Sequence, residues 1–565
     1  MPDDSTLVQL FARRAADDGP RTAIHVKRDG AYTSLTWRDV ARDVLRASAG
    51  LIDAGVAPGD RVILLSENRY EWIVCDLAIQ FALAINTPIH APLTGEQIVW
   101  QINDSGAEIV LLSGAAQAEK LQAVAESLHR DVACYTFDGC DLAIGRRAIL
   151  PFSKLQSEQN DDRLRDIELQ ALEAVQPTSL ATILYTSGTT GEPKGVMLTQ
   201  RNLASNTIGT LAAFEQTRDD LRLNFLPLSH IFGRTCDLYT WIVTGSELAL
   251  AESRETVVAD CRALRPTLIN AVPYFFDKIY RAICDAGHLD QPDVLRDFLG
   301  GRLRMVCSGG AALPDHVFDF FTRQGVPILQ GYGLTETSPV ITACTPMRNK
   351  KGTVGPAIPD VEVRVAADGE IETRGPHVMR GYYKNPAATD EVLHDGWLRT
   401  GDLGALDDDG FLRITGRKKE IIVTSGGKNV PPVMIESLLT QDPLIVQALV
   451  VGDGRDYLVA LLVPDPDNLR SEIVQRGIAV ASREQALAHP EVLALYEERV
   501  RQRLAGVSYY EQVRKFQLLP RGFSIEQGEM TAKLSLRRQV IEKHFAAEIE
   551  AMYRRTGEAE CLDET

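Results

Sequence analysis

The chain has 565 residues, 45% hydrophobic and 24% charged, and 60 Lys and Arg against 77 Asp and Glu give a net charge of −17. This composition belongs to a packed globular enzyme rather than a disordered chain, and the length predicts about three to four compact units. The acidity argues against nucleic acid as the main partner, which needs a basic face, but not against a phosphorylated small molecule held by a few local cations.

In chain order, TWRD at 36–39 opens a helix, Arg61–Leu65 reads as a strand, Glu71–Leu83 as a buried helix and Val110–Leu112 as another strand. Such alternation predicts sheets with helices packed on them. Residues 151–178 are polar and read as a surface connection. Strands are then predicted at Thr182–Tyr185, Leu268–Val272 and Met305–Ser308. Beyond Gly352 the texture shifts to short strands at 361–365 and 369–373, which suggests a small barrel-like β unit. A turn at Asp407–Gly410 and a strand at Phe411–Thr415 lead into GRKKE at 416–420, and a smaller α+β region follows.

Nine cysteines (75, 134, 140, 236, 261, 284, 307, 344 and 561) form no CxxC pair, and the start MPDDSTLVQL lacks the basic, apolar pattern of a secretory signal. Reduced thiols in a cytoplasmic protein are the expectation. The most apolar stretch, Trp72 to Ile85, is short of a membrane span and is interrupted by Asp76 and Gln80. No crossing is expected, and peripheral association stays open.

The most informative segment is YTSGTTGEPKGV, 185–196. An apolar strand runs into Thr186, Ser187, Gly188, Thr189, Thr190 and Gly191. The glycines let backbone N–H groups approach a phosphate, the hydroxyls add donors and Lys194 supplies charge. The GK[ST] ending of a nucleoside-triphosphatase loop is missing, and the VMLT that follows alternates like a strand. In QGYGLTET, 330–337, Gly331 and Gly333 leave the Tyr332 ring open to stack on a base, and Glu336 beside Thr335 suits a hard cation. A Gly-rich turn with a capping Thr would use the same residues. SGGAA at 308–312, with Gly309, Gly310 and Ala311, follows a strand as a backbone surface against a planar base would. Asp402 in TGD, 400–402, can accept two ribose hydroxyls or serve as a turn residue, and Arg417 lies just past a strand.

Taken in this order, the motifs resemble the acyl-adenylate-forming superfamily of acyl-CoA synthetases, adenylation domains and firefly-luciferase-like enzymes. The chain looks most like long-chain fatty-acyl-CoA synthetases, through LPLSHIF (226–232), RGPHVMRGYYKNP (374–386) and GRKKEIIVTSGGKNV (416–430). The resemblance implies an α/β fold: a large N-terminal domain over 1–416, with two βαβ-type sheet subdomains and a small β-barrel, then a hinge at 417–421 containing Lys419. A small mobile α+β domain would occupy 422–565. It implies ATP, Mg²⁺ and CoA. The Thr/Gly loop would hold the β- and γ-phosphates, Glu336 with Thr189 the metal, and Tyr332 the adenine. Asp402 and Arg417 would meet the ribose, with Ile414, Gly426 and Gly427 in the same nucleotide-binding set. His230 would line the gate between acyl pocket and thiol tunnel.

The implied reaction is attack of a carboxylate on the α-phosphorus of MgATP, giving acyl-AMP and pyrophosphate, followed by displacement of AMP by the CoA thiol. A lysine of the small domain normally supplies a cation to the first step, in a pattern like GELTPSLK. Here the chain reads GEMTAKLSLRR, 528–538, so the customary lysine falls on Ser535 and Lys533 stands two positions earlier. Either Lys533 serves as that cation, or adenylation is impaired and thioesterification of a supplied adenylate survives. An acyl-AMP ligase loading a carrier protein is a further alternative, disfavoured because IIVTSGGK runs on from the hinge without insertion. A luciferase-like oxygenase, a peptide-synthetase adenylation module and a non-catalytic nucleotide-binding protein complete the alternatives. No carrier-domain serine motif is seen before Thr565. The short connection between Lys278 and Arg302 leaves medium-chain, aromatic and polycyclic acids open beside long-chain ones.

Overall fold

The computed structural model describes residues 4–156, 160–186, 193–524, 526–530 and 536–554. By compactness the chain divides into two units. One comprises Met1–Arg364, Glu372–Thr400 and Leu406–Leu412; the other comprises Val365–Ile371, Gly401–Ala405 and Arg413–Thr565.

The first unit is built on two eight-stranded sheets. The first runs Val340–Ala343, Ile328–Gly333, Met305–Gly309, Leu268–Ala271, Leu221–Asn224, Glu247–Leu250, Thr22–Arg28, Ala31–Thr36. It is parallel except at its two edges. The second runs Gly381–Tyr382, Lys194–Thr199, Leu180–Thr186, Ile85–Ile89, Arg61–Leu65, Ile109–Leu112, Ala133–Thr136, Leu150–Pro151. Its antiparallel part is confined to the first three strands. Parallel strands need helical crossovers, which is the alternation read in the sequence. Residues 362–417 supply a five-stranded sheet.

Local chemistry explains the helices. Thr36 and Asp39 form a reciprocal cap: the Thr36 hydroxyl accepts the Asp39 N–H at 3.2 Å and the Asp39 carboxylate accepts the Thr36 N–H at 3.0 Å. The helix they start, Trp37–Asp53, buries Trp37, which stacks on Trp241 at 4.2 Å between ring centroids. Helix Tyr70–Phe81 is buried all round apart from Glu71, so its sequence lacks an amphipathic period. The polar stretch read as a surface connection is in part a helix, Asp161–Ala174, capped by the Asn160 side chain. A thin stripe of Leu164, Ile167 and Ala171 is buried, and the charge around it conceals the 3–4–7 spacing in composition.

In the second unit, strands Ile445–Val451, Leu458–Pro464 and Val513–Leu518 form a three-stranded sheet. The central strand divides its side chains by period two. Leu458, Ala460 and Leu462 join a core with helices Pro432–Thr440 and Pro490–Arg503, whereas Val459, Leu461 and Val463 face Ile541, Phe545 and Ile549. Among the described residues no helix is long and apolar enough to cross a membrane.

Candidate active site

Strands Leu180–Thr186 and Lys194–Thr199 are paired up to Thr186 opposite Lys194, where the Thr186 hydroxyl donates to the Lys194 carbonyl at 3.4 Å. Ser187, Gly188, Thr189, Thr190 and Gly191 lie outside the described residues, between these two paired ends. The chain continues from Lys194 as a strand, not a helix, as the alternation of VMLT predicted. Gly195 is required here: a β-carbon would meet Ile183 Cγ2 at 2.9 Å and the Tyr185 ring at 3.1 Å.

In the first sheet, Gly309 stands opposite Gly331 on neighbouring parallel strands. Two glycines side by side present bare backbone at the carboxyl ends of the strands, where open α/β sheets take their ligands. A β-carbon on Gly309 would touch the Phe232 ring at 3.2 Å, so this backbone surface adjoins the turn that carries His230. The buried Ser308 hydroxyl has no hydrogen-bond partner among the described residues, a donor the fold itself leaves unused. Gly310 has φ +86° and precedes Ala311, while Tyr332 is half-buried between Gly331 and Gly333. These features fit a planar base and its sugar.

The turn Thr335–Thr337 holds Glu336. Its backbone carbonyl accepts the Met379 N–H at 2.8 Å, and its Oε1 accepts the Tyr382 hydroxyl at 2.9 Å. Tyr382 stands opposite Val196 in the second sheet, and Lys194 Nζ lies over its ring, 5.0 Å from the centroid. Tyr382 therefore links the Lys194 motif and the Glu336 motif. Neither motif singles Tyr382 out; it lies in RGPHVMRGYYKNP, which in the sequence serves only as a mark of resemblance.

The donor chemistry fits Mg²⁺. Among the described residues no group of three or more His, Cys, Asp or Glu stands ready to enclose a metal. A single carboxylate such as Glu336 is what a Mg²⁺ carried by substrate phosphates needs, since that ion keeps much of its coordination for water and phosphate.

His230 caps the short helical turn after it, its Nδ1 accepting the Phe232 N–H at 3.2 Å. The His90 ring stacks on it at 6.0 Å with 13° between planes, and His90 Nδ1 is 2.7 Å from the Ser229 hydroxyl. Asn68 pins the approach to this turn by donating to the Leu226 carbonyl at 2.7 Å and accepting the Leu228 N–H at 2.9 Å. Beyond it, segment Arg234–Tyr239 is a π-helix anchored by two buried ion pairs. Arg234 reaches Asp76 and the Thr182 hydroxyl, and Asp237 meets Arg222, Asn224 and Asn270.

His377, in the same segment as Tyr382, is 1% exposed, and burial pushes its imidazole down to about 4. Its carbonyl accepts the Ser338 hydroxyl at 2.9 Å, beside the Glu336 turn. An unfolded histidine takes up a proton near pH 6.5, before the folded one does, so protonation favours unfolding. Stability of the first unit should fall by about 3 kcal/mol as pH drops from 6.5 to 4, then level off on this account. Urea midpoints across that range check it, and His377→Gln should flatten the slope.

In the second unit Asp402 lies within strand Trp397–Leu406 and is 3% exposed, with Arg417 Nε 2.8 Å from its Oδ1. It is a strand residue, not a turn aspartate. Ile414 is half-buried in strand Leu412–Arg417, and Lys419 is exposed in the turn Lys418–Glu420. Gly426 and Gly427 form the exposed turn after Ile422–Val423, where Gly427 has φ +70° and donates its N–H to the Thr424 carbonyl. Lys533 and Ser535 lie outside the described residues. Their flanks are anchored. Met530 and Leu536 form an antiparallel bridge, Arg521 donates to both oxygens of Glu529 at 2.7 Å, and Arg538 pairs with Glu436. The Arg521 guanidinium holds the Glu529 carboxyl down at about 2.

Two sheets in one unit, with glycine-lined strand ends and with a carboxylate and a lysine brought to one tyrosine, make an α/β architecture of the kind that takes its ligand at the strand ends. Residues 11–383 match the AMP-binding enzyme family and residues 419–557 the AMP-binding enzyme C-terminal domain. The chain belongs to the AMP-binding enzyme family, as its motifs indicated. It is 34% identical over 93% of both chains to the long-chain-fatty-acid–CoA ligase FadD15 of Mycobacterium tuberculosis. It is 27% identical to the peroxisomal long chain acyl-CoA synthetase 6 of Arabidopsis thaliana, over 98% of this chain and 87% of that one. Among solved structures it shares its fold with the anthranilate CoA ligase AuaEII (TM-score 0.77, 20% identity, 98% and 99% covered). It also shares it with the O-succinylbenzoate coenzyme A synthetase MenE of Bacillus subtilis in complex with ATP and magnesium ion (TM-score 0.72, 23% identity, 95% and 99% covered).

Proposed function

We propose that this protein is an ATP-dependent acyl-CoA synthetase that converts a carboxylic acid, in the first instance a fatty acid, to its acyl-adenylate and then to the CoA thioester, in the cytoplasm. The observation that carries the reading is the convergence of Lys194 and Glu336 on Tyr382, which brings two motifs far apart in sequence to one place. The full-length similarity to long-chain-fatty-acid–CoA ligases supports the substrate class.

In this reading Lys194, Thr186 and the hydroxyl loop through Thr189 and Thr190 hold the triphosphate, and the Gly309–Gly331 surface with Tyr332 takes the adenine. Asp402 and Arg417 serve the ribose. Glu336 with Thr189 would hold Mg²⁺, which when bound neutralises phosphate charge. Adenylation is then chiefly positioning and charge neutralisation, with little covalent work for the protein. His230, fixed by its own Phe232 N–H and by His90, lines the passage between the acyl and thiol sites. Residues 417–421, with Lys419, act as the hinge about which 422–565 reorients between the two half-reactions.

Lys533 is assigned as the cation of the first half-reaction. Lys533→Ala should lower ATP–pyrophosphate exchange by about 10²-fold, and unchanged exchange removes Lys533 from the mechanism. The reading as a whole is tested with a panel of carboxylic acids, ATP and CoA, following AMP and thioester separately. AMP and thioester from an aliphatic acid are expected. No acid-dependent AMP release would end the proposal. Adenylate without thioester would point to a carrier-protein acceptor, and thioester only from synthetic adenylate to impaired adenylation.

A further inference from the structure

Among the described residues, Lys194 and Glu336 are the charged residues that the nucleotide motifs contribute to the first unit's site; Lys194 opens a strand of the second sheet, and Glu336 sits in the turn that follows a strand of the first. Opposite charges brought to one place ordinarily pair, as Arg304 does with Asp220 and Arg69 with Glu71 elsewhere in this unit. Here they do not. Among the described residues no ion pair joins them, and the sole hydrogen-bond partner of the Glu336 carboxylate is a neutral one, the Tyr382 hydroxyl on Oε1. Lys194 is held over the face of the same ring.

Tyr382 is itself rigidly placed. It is 8% exposed, pairs with Val196 across the strands, and its N–H donates to the Thr389 hydroxyl at 2.9 Å. Its neighbours are bound on both sides: Arg380 N–H to the Met197 carbonyl, Tyr383 N–H to the Gly195 carbonyl, and Met379 N–H to Glu336 itself. Gly381 before it has φ +143°, and a β-carbon there would press on Thr389 at 2.9 Å, so the approach to Tyr382 is specified at the backbone.

Resting on the proposed function, we infer that Tyr382 is a positioning residue for the metal–nucleotide complex: its hydroxyl fixes Glu336 by one oxygen and leaves the carboxylate charge for a divalent cation, while its ring keeps Lys194 for phosphate. Outer-shell partners of this kind typically contribute 10–100-fold to metal affinity. A phenylalanine at 382 would keep the packing and the ring under Lys194, and would free the Glu336 carboxylate to turn.

The test uses the full chain with Mn²⁺ as the probe. Binding of Mn²⁺ in the presence of α,β-methylene-ATP is followed by the loss of the free-ion electron paramagnetic resonance signal, and nucleotide affinity is measured separately in EDTA. For Tyr382→Phe the Mn²⁺ dissociation constant is expected to rise about tenfold with metal-free nucleotide affinity unchanged. Equal Mn²⁺ affinity in variant and wild type would overturn the inference. So would a parallel loss of metal and metal-free nucleotide binding, which marks a packing role alone. If the wild-type protein binds no Mn²⁺–nucleotide complex at all, the proposed function fails as well; wild-type binding with an indifferent variant defeats the Tyr382 inference and leaves the function standing.

Discussion

Glu336→Gln should reduce acid-dependent ATP–pyrophosphate exchange by about 10²–10³-fold. Glutamine keeps the shape of the side chain and still accepts the Tyr382 hydroxyl through its carbonyl oxygen, so the turn Thr335–Thr337 keeps its contacts. What it loses is the negative charge. Glu336 has no ion-pair partner among the described residues, so removing that charge strands no buried cation, and stability should change by less than about 1 kcal/mol. Thioester formation from a chemically supplied acyl-adenylate, which consumes no ATP, should be far less affected. Comparing exchange with that second reaction in the same preparation checks the assignment. Exchange within about threefold of wild type, against the 10²-fold loss expected of a lost electrostatic stabiliser, would exclude Glu336 from metal or phosphate binding.

The second large effect concerns folding. Arg234 and Asp76 are both fully buried. Asp76 also accepts from Asn86 at 2.7 Å and from the Tyr239 hydroxyl at 3.1 Å. Arg234→Met removes the one cation from this cluster and leaves a carboxylate uncompensated in the core, at an expected cost of about 3–5 kcal/mol. Urea denaturation measures it. Adding Asp76→Asn to Arg234→Met should recover a substantial part of that loss, because the strandedness of the remaining charge dominates the penalty, not the attraction. Equal destabilisation by single and double variants would refute that account. The same cluster bears on function, since Arg234 ties the segment following His230 to Thr182, on the strand that ends at Thr186. On the role proposed for His230, a variant that folds but holds it loosely should show a raised KM for the thiol before any loss of nucleotide affinity.

Much of this was legible beforehand where the information is local. The reciprocal Thr36–Asp39 cap lies within four residues, and strand Arg61–Leu65 announces itself through the apolar run Val62–Leu65. Helix Asp161–Ala174 was hidden because three buried side chains among many charges leave little trace in composition. Tyr382 was overlooked for a different reason. Its partner Glu336 is 46 residues away, and nothing in either motif names the other. The Arg234–Asp76 pair spans 158 residues and was invisible on the same ground.

The sequence by itself determined the family and the chemistry on offer: hydroxyl and glycine donors, a lysine, a carboxylate and an order of motifs, because each is a short segment whose residue types limit what its backbone and side chains can bind. Only the tertiary structure decided which of these meet. Strand pairing brought Gly309 beside Gly331 and Tyr382 beside Val196, and the Tyr382 hydroxyl then reached Glu336. Such meetings depend on sheet order and on burial across long stretches of chain, which no local pattern encodes.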